Sequence, residues 1–170
     1  AFLSFYGAEI IIETARFWAS MAMLNEESER FEIRGVMGPD EFHDGYPDRD
    51  EPGIDNNAYT NVMAAWVFCR ALETLEALPP ERRRSLRENL SIDEDELGSW
   101  DRISRRMYVP FHGDGIISQF DRYDELEEFD WEGYREKYGD IDRLDRILGA
   151  EGDSPNRYKL SKQADVLMLF

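Results

Sequence analysis

A mainly helical domain with a few short β pieces in its loops is the fold class this sequence predicts. Two long segments with apolar residues at helical spacing, from about Tyr6 to Asn25 and from Ala58 to Ala77, carry that prediction. The strand-like alternating runs, by contrast, are short and lie beside stretches rich in Gly, Pro and Asp.

In the first segment Glu9, Glu13, Arg16 and Ser20 form one stripe, while Ile10, Ile11, Phe17, Trp18, Met21 and Ala22 fill the other face. Phe31-Glu32-Ile33-Arg34 alternates like a short strand. The chain from Gly38 to Asn57 is a long stretch of Gly, Pro and Asp, and loops of that length in compact domains are functional or disordered. Asn57 has the chemistry of an N-cap for a helix over Ala58 to Ala77. The middle of that helix, Val62 to Cys69, is apolar all round, which predicts burial on every face. Pro79-Pro80 opens an exposed helical stretch carrying Arg82, Arg83, Arg84 and Arg87. Ser91 followed by Glu94 reads as a capping box for a helix running to about Met107. Two short β-like pieces flank His112-Gly113-Asp114-Gly115, and Asp121 to Asp153 mixes charge with aromatics at weak helical periodicity. Leu160 to Phe170 reads as a last helix, still apolar where it stops at Val166-Leu167-Met168-Leu169-Phe170.

Composition narrows the function classes. At 170 residues the chain is one domain or part of a larger one. Its 20 Lys and Arg against 37 Asp and Glu leave a net charge of −17, the wrong sign for nucleic acid or an anionic membrane surface. A hydrophobic content of 42% is enough for a core and excludes a disordered acidic tail. Cys69 stands alone, so no internal disulfide forms, which fits a reducing compartment. No apolar run approaches the ~20 residues of a membrane-spanning helix. No basic segment precedes the first apolar residues, so a signal peptide is not expected. The expectation is a soluble cytoplasmic domain.

Metal chemistry finds little support. Asp48-Arg49-Asp50-Glu51-Pro52-Gly53 begins like a calcium loop, but it has Pro52 at the fifth position and Tyr59 where a bidentate Glu is required. His43 and His112 lie far apart and outside any zinc-binding pattern. No metal or organic cofactor is expected. The informative run is Arg34 to Gly45, closed by Asp55-Asn56-Asn57-Ala58-Tyr59-Thr60-Asn61. It gathers carboxylates, carboxamides and hydroxyls around aromatic residues, a palette suited to binding a sugar. Gly38-Pro39 forces a turn that fixes Glu41 just beyond it. A Glu between Phe42 and buried backbone would be desolvated, raising its pKa and allowing a general-acid role. The same composition also describes a solvated acidic loop that caps the following helix.

The run from Gly35 to Asn61, with its Gly38-Pro39-Asp40-Glu41 core and Asp55-Asn56-Asn57-Ala58-Tyr59-Thr60-Asn61 end, resembles the signature of glycoside hydrolase family 65. Glu13-Thr14-Ala15-Arg16-Phe17-Trp18, Gly115 to Phe120 and Lys162-Gln163-Ala164-Asp165-Val166 are further matches in the family's order. That family comprises disaccharide phosphorylases acting on maltose, trehalose, kojibiose and nigerose, and a few hydrolases. The resemblance implies that the chain is about the later half of an (α/α)6 toroidal barrel with short β pieces in its active-site loops. It also implies that residues 1–170 are a partial catalytic domain, with donor-site and phosphate-binding segments lying before Ala1 and after Phe170.

By the same resemblance Glu41 is the general acid, and Lys162 and Gln163 belong to the donor-sugar pocket. Lys162 would otherwise read as a surface lysine at a helix start. Asp40, His43 and Asn57, with Asp44, Asn56 and Tyr59, are candidates to contact the acceptor sugar or hold the loop; Asn57 could equally be only a cap. Trp18 and Trp66 could stack on sugar faces or be core. The implied reaction is inverting phosphorolysis of an α-glucosyl disaccharide to β-glucose 1-phosphate and glucose, with inorganic phosphate as co-substrate. Phosphate replaces the base and water that an inverting hydrolase needs. The alternatives are a trehalase-like hydrolase of the same family and a non-catalytic carbohydrate-binding or structural helical unit. The apolar C-terminal run and the helix around Trp66 are the faces expected to be uncovered, either for self-association or for the rest of a larger molecule.

Overall fold

The structure is a computed structural model that describes residues 2–170. The chain separates into two compact units, one formed by the residues up to Ile33 with Thr60–Tyr108, the other by Arg34–Tyr59 with Val109–Phe170.

In the first unit a π-helical turn, Leu3–Gly7, leads into α1, Ala8–Met21. The predicted helix therefore ends before Asn25, because Met23–Asn25 (β1) pairs antiparallel with Arg30–Glu32 (β2). The strand read over Phe31 to Arg34 is thus a two-stranded ribbon, shifted by a residue and partnered by what looked like helix. The buried stripe of α1 is Ala8, Ile12 and Ala15, at i, i+4 and i+7. Ile10 and Phe17, expected on the buried face, are 61% and 56% exposed. Small residues let the helix approach its neighbours closely, and the large apolar ones point away. Arg16 anchors the helix by donating to both carboxylate oxygens of Glu96, at 2.7 and 2.9 Å, and to the Leu90 carbonyl.

Helix α2, Ala58–Ala77, begins directly after Asn57. Its buried positions Ala64, Phe68, Ala71 and Leu75 form one stripe. Burial on every face does not occur, since Trp66 is 49% exposed with the Arg70 guanidinium over its ring. Helix α3, Pro80–Leu90, starts on a proline and ends at Ser91, which adopts a left-handed φ of 54°. Ser91 closes α3 and so cannot open the next helix. The N-cap of α4, Glu94–Arg106, is Asp93, whose carboxylate accepts the Glu96 N–H at 2.8 Å. Trp100 and Ile103 are the buried residues of α4, and Met107 bridges to Phe31.

In the second unit the long acidic loop is folded on itself. Val36 and Ile54 exchange backbone hydrogen bonds, and Gly53 donates to the Asp44 carbonyl. Gly53 has φ +100°, and a Cβ there would lie 2.5 Å from the Gly35 backbone, so only glycine fits. The Tyr46 hydroxyl, inside a cluster with Ile54, Phe120 and Leu126, donates to the Asp121 carbonyl and accepts the Asp55 N–H. Arg122 and Arg49 neutralise Asp48 and Asp55, which explains how so acidic a loop stays compact. Phe111 bridges to Ile117 around His112 to Gly115, as the short β pieces predict. Two short helices follow, α5 (Trp131–Tyr138) and α6 (Leu144–Glu151). Leu144, Leu148, Phe129 and Leu160 form a second core, with Phe42 and Tyr158 packed against it.

The expected helix from Leu160 does not form; only a 3-10 turn, Asp165–Leu169, is present. Leu160 and Asp165 are both buried while residues 161–164 are exposed. Buried positions five apart do not share one face of a 3.6-residue helix, so the segment runs irregularly to bury both. The final residues are open, as expected, with Leu167 and Phe170 at 73% and 95% exposure. Among the described residues no helix is long and apolar enough to cross a membrane.

Candidate active site

The turn after Pro39 sends two consecutive carboxylates in opposite directions. Asp40 is 1% exposed, and its Oδ1 accepts the Phe42 N–H at 3.2 Å, the closed turn that aspartate makes two residues ahead of itself. Glu41 then has to point outward. Its side chain is 60% exposed and meets the Lys162 ammonium at 2.5 Å. The desolvated position expected for Glu41 therefore belongs to Asp40. Phe42 turns instead into the second core.

Asp40 is held from several sides. Oδ1 also accepts the backbone N–H of Lys162 at 3.2 Å, and Oδ2 accepts Gln119 Nε2 at 2.8 Å. His43 Nδ1 stands 3.7 Å from Oδ2, beyond a full hydrogen bond. Burial pushes the Asp40 carboxyl up, but its polar surroundings, with hydrogen bonds from Gln119 and from the Phe42 and Lys162 N–H groups, outweigh it and hold the carboxyl below the usual range. His43 is fully buried, with Nε2 at 3.0 Å from the Tyr158 carbonyl. A carbonyl only accepts, so this nitrogen carries the proton. The ring sits among Phe120 and Tyr123.

A second buried pair lies beneath the turn. Asn57 Nδ2 donates to Asp165 Oδ2 at 2.8 Å and to the Gln119 carbonyl at 3.3 Å. Asp165 is fully buried, and its Oδ1 has no hydrogen-bond partner. Burial raises its carboxyl above the ordinary value, the Asn57 bond works the other way, and the Asp40 charge adds to the rise. Gly38 seats the turn on this pair, for a Cβ there would lie 2.5 Å from Asp165 Oδ2.

The six residues singled out in the sequence thus converge and divide into two layers. Glu41, Lys162 and Gln163 lie at the surface; Asp40, His43 and Asn57 lie inside. Gln119 and Asp165 complete the buried layer and carried no assigned role in the sequence, although both fall within its matching runs. Their signal was there: an aspartate opening the apolar run Asp165 to Phe170 is a buried charge that needs a partner. Among the described residues no group of three or more His, Cys, Asp or Glu comes together to hold a metal ion.

A surface carboxyl faces a lysine here, with a buried polar layer beneath the turn that carries it. The profile of the glycosyl hydrolase family 65 central catalytic domain matches residues 1–170, and the chain belongs to that family. Over 163 residues it is 60% identical to an uncharacterized glycosyl hydrolase of Mycobacterium tuberculosis, covering 96% of this chain and 12% of that protein. It is 40% identical over 163 residues to the trehalose 6-phosphate phosphorylase of Lactococcus lactis, covering 96% of this chain and 20% of the relative. A solved structure of a human-microbiome protein, provisionally named a kojibiose phosphorylase, matches with a TM-score of 0.74 at 24% identity, covering 99% of this chain and 22% of that one. That likeness is one of fold. The chain spans about a fifth or less of the length of these two curated relatives.

Proposed function

We propose that this domain contributes the general acid of an inverting glycoside phosphorylase acting on an α-glucosyl disaccharide, and that its helices are part of an (α/α)6 barrel. The observation that carries the reading is the meeting of Glu41 and Lys162 at the surface, with Gln163, the next residue in the chain, also exposed. Family membership and the phosphorylase named among the relatives support it.

In this reading Glu41 gives its proton to the glycosidic oxygen while a phosphate oxygen attacks the anomeric carbon from the opposite face. The C–O bond of the disaccharide breaks as the C–O bond to phosphate forms, through an oxocarbenium-like transition state. The acceptor sugar leaves with the proton, and β-glucose 1-phosphate is the other product. Phosphate is already an anionic nucleophile, so no second carboxylate has to activate water. Lys162 and Gln163 hold the donor glucose through charged and neutral hydrogen bonds. The Glu41 carboxyl faces Lys162 here, so sugar binding must part the two for the carboxyl to reach the glycosidic oxygen. Asp40, His43 and Asn57, being buried, support this surface rather than touch the sugar.

The test uses the complete protein that carries this domain. Sugar release from an α-glucosyl disaccharide should require added phosphate and yield a β-configured sugar phosphate. Release at the same rate without phosphate would establish hydrolysis instead.

A further inference from the structure

The buried layer has a geometry that bears on the proton transfer itself. Asp40 touches three segments of the site at once. Its Oδ1 takes the Phe42 N–H, which fixes the peptide immediately after Glu41, and the Lys162 N–H, which fixes the backbone of the facing lysine. Its Oδ2 takes Gln119 Nε2, which ties both to the chain at the entrance of α2, because the Gln119 carbonyl accepts the Ala58 N–H at 2.9 Å. Among the described residues Glu41 has no comparable support of its own: its side chain is exposed and its partner is the flexible end of a lysine. Whatever sets the direction of the Glu41 side chain has to act through the turn.

We propose that Asp40 is the positioning residue for proton transfer from Glu41, holding the turn in the one register that aims the Glu41 carboxyl at the glycosidic oxygen. The proposal rests on the general-acid reading of Glu41. It deepens that reading by naming the group that orients the acid. Asp40 acts through three hydrogen bonds accepted by its carboxylate, and its negative charge is incidental to the role. A displacement of about 1 Å at the reacting atoms is enough to cost on the order of 10²-fold in rate.

The experiment compares two donors in the complete protein: a disaccharide, whose leaving oxygen needs a proton, and α-glucosyl fluoride, whose fluoride departs without one. Asp40→Ala should lower kcat on the disaccharide by roughly 10–100-fold with KM little changed, and lower the fluoride rate at least about tenfold less. Asp40→Asn keeps the Oδ1 acceptor, and a turned Gln119 amide can restore the remaining bond, so most of the disaccharide rate should return. Equal losses on the two donors would overturn the proposal, since Asp40 would then act through the donor site or the fold. So would an Asn variant as slow as the Ala variant, or an Ala variant with unchanged rates. If Asp40→Ala does not fold, Gln119→Leu removes the Oδ2 donor alone and is judged by the same ratio. Glu41→Gln run beside them separates the two failures: normal disaccharide turnover in that variant removes the general-acid reading itself, whereas its loss with fluoride activity kept leaves only Asp40 in question.

Discussion

Lys162 Nζ lies 2.5 Å from Glu41 Oε2, across 121 residues of chain. Both side chains are about half exposed, at 47% and 60%. An ion pair so open to water stabilises a fold by only about 0–1 kcal/mol. The pair is therefore a poor structural device and a good place to look for substrate handling. On the proposed function, in which Lys162 is a charged donor to the sugar, Lys162→Met should leave the melting temperature nearly unchanged while raising KM for the disaccharide, since the methylene stem is kept and the ammonium is lost. Thermal denaturation and steady-state kinetics on the same preparation check this. A large drop in melting temperature with unaltered KM would make the pair structural.

Glu41→Gln keeps the size and hydrogen-bonding shape of the side chain and removes the proton. Turnover of the disaccharide should fall by roughly 10²–10⁴-fold, the usual contribution of a general acid. Binding of the disaccharide, followed by calorimetry, should change little. Near-normal phosphorolysis would take the role away from Glu41.

Much of this organisation is legible before any coordinates. Helical spacing locates α1 and α2, Pro79-Pro80 and a capping signal locate α3 and α4, and the family resemblance assigns Glu41 and Lys162 to one site without pairing them. What the sequence hides is direction. Nothing local says that Asp40 turns in and Glu41 out, because that is decided by which of the two carboxylates finds buried donors in Gln119 and the Lys162 backbone. The apolar face of α1 misleads for a similar reason: Ala8 and Ala15 permit close packing, so tertiary contact overrides hydrophobicity. Ser91 and Asp93 show the limit of pattern matching at a short helix junction. Both are competent caps by chemistry, and only the left-handed φ of Ser91 assigns the cap to Asp93.

The buried carboxyls predict opposite pH behaviour. A carboxyl that holds its proton more tightly in the folded than in the unfolded state adds stability in acid and loses it as pH rises through the folded value. Asp165, raised mainly by burial among Asn57, Asp40 and His43, behaves this way. Asp40 does the reverse: its carboxyl is held below the ordinary range, so its contribution is complete above about pH 3.9 and is lost only in stronger acid. Asp165→Asn keeps the Oδ acceptor for Asn57 without a titrating group. The variant should gain stability relative to the parent as pH rises from about 4 towards neutrality, with little difference in acid. Denaturation midpoints across that range read the effect, and a pH-independent difference between the two proteins would show that Asp165 does not titrate in the fold.

Gly38 joins the turn to the buried pair and gives the sharpest steric prediction. Its backbone φ is ordinary, so freedom of conformation is not the reason for glycine here. Space is: a Cβ would lie 2.5 Å from Asp165 Oδ2 and closer still to the Asn57 amide nitrogen. Both groups are fully buried and bonded to each other at 2.8 Å, so neither can retreat into solvent. Gly38→Ala must either part that bond or lift the turn. Parting it leaves a buried donor and acceptor unsatisfied, which costs about 1–3 kcal/mol. Lifting the turn moves Glu41 away from Lys162 and relaxes the Asp40 bonds. Chemical denaturation should therefore show a lower midpoint, and disaccharide turnover should fall while fluoride release from α-glucosyl fluoride falls less. The double variant Gly38→Ala with Asn57→Ser, which removes the nearer obstacle beneath the turn and frees the Asp165 carboxyl to shift, should recover turnover even though the Asn57 bond to Asp165 is gone. Failure of that recovery would mean that the Asn57–Asp165 bond, and not the seating of the turn, governs Glu41.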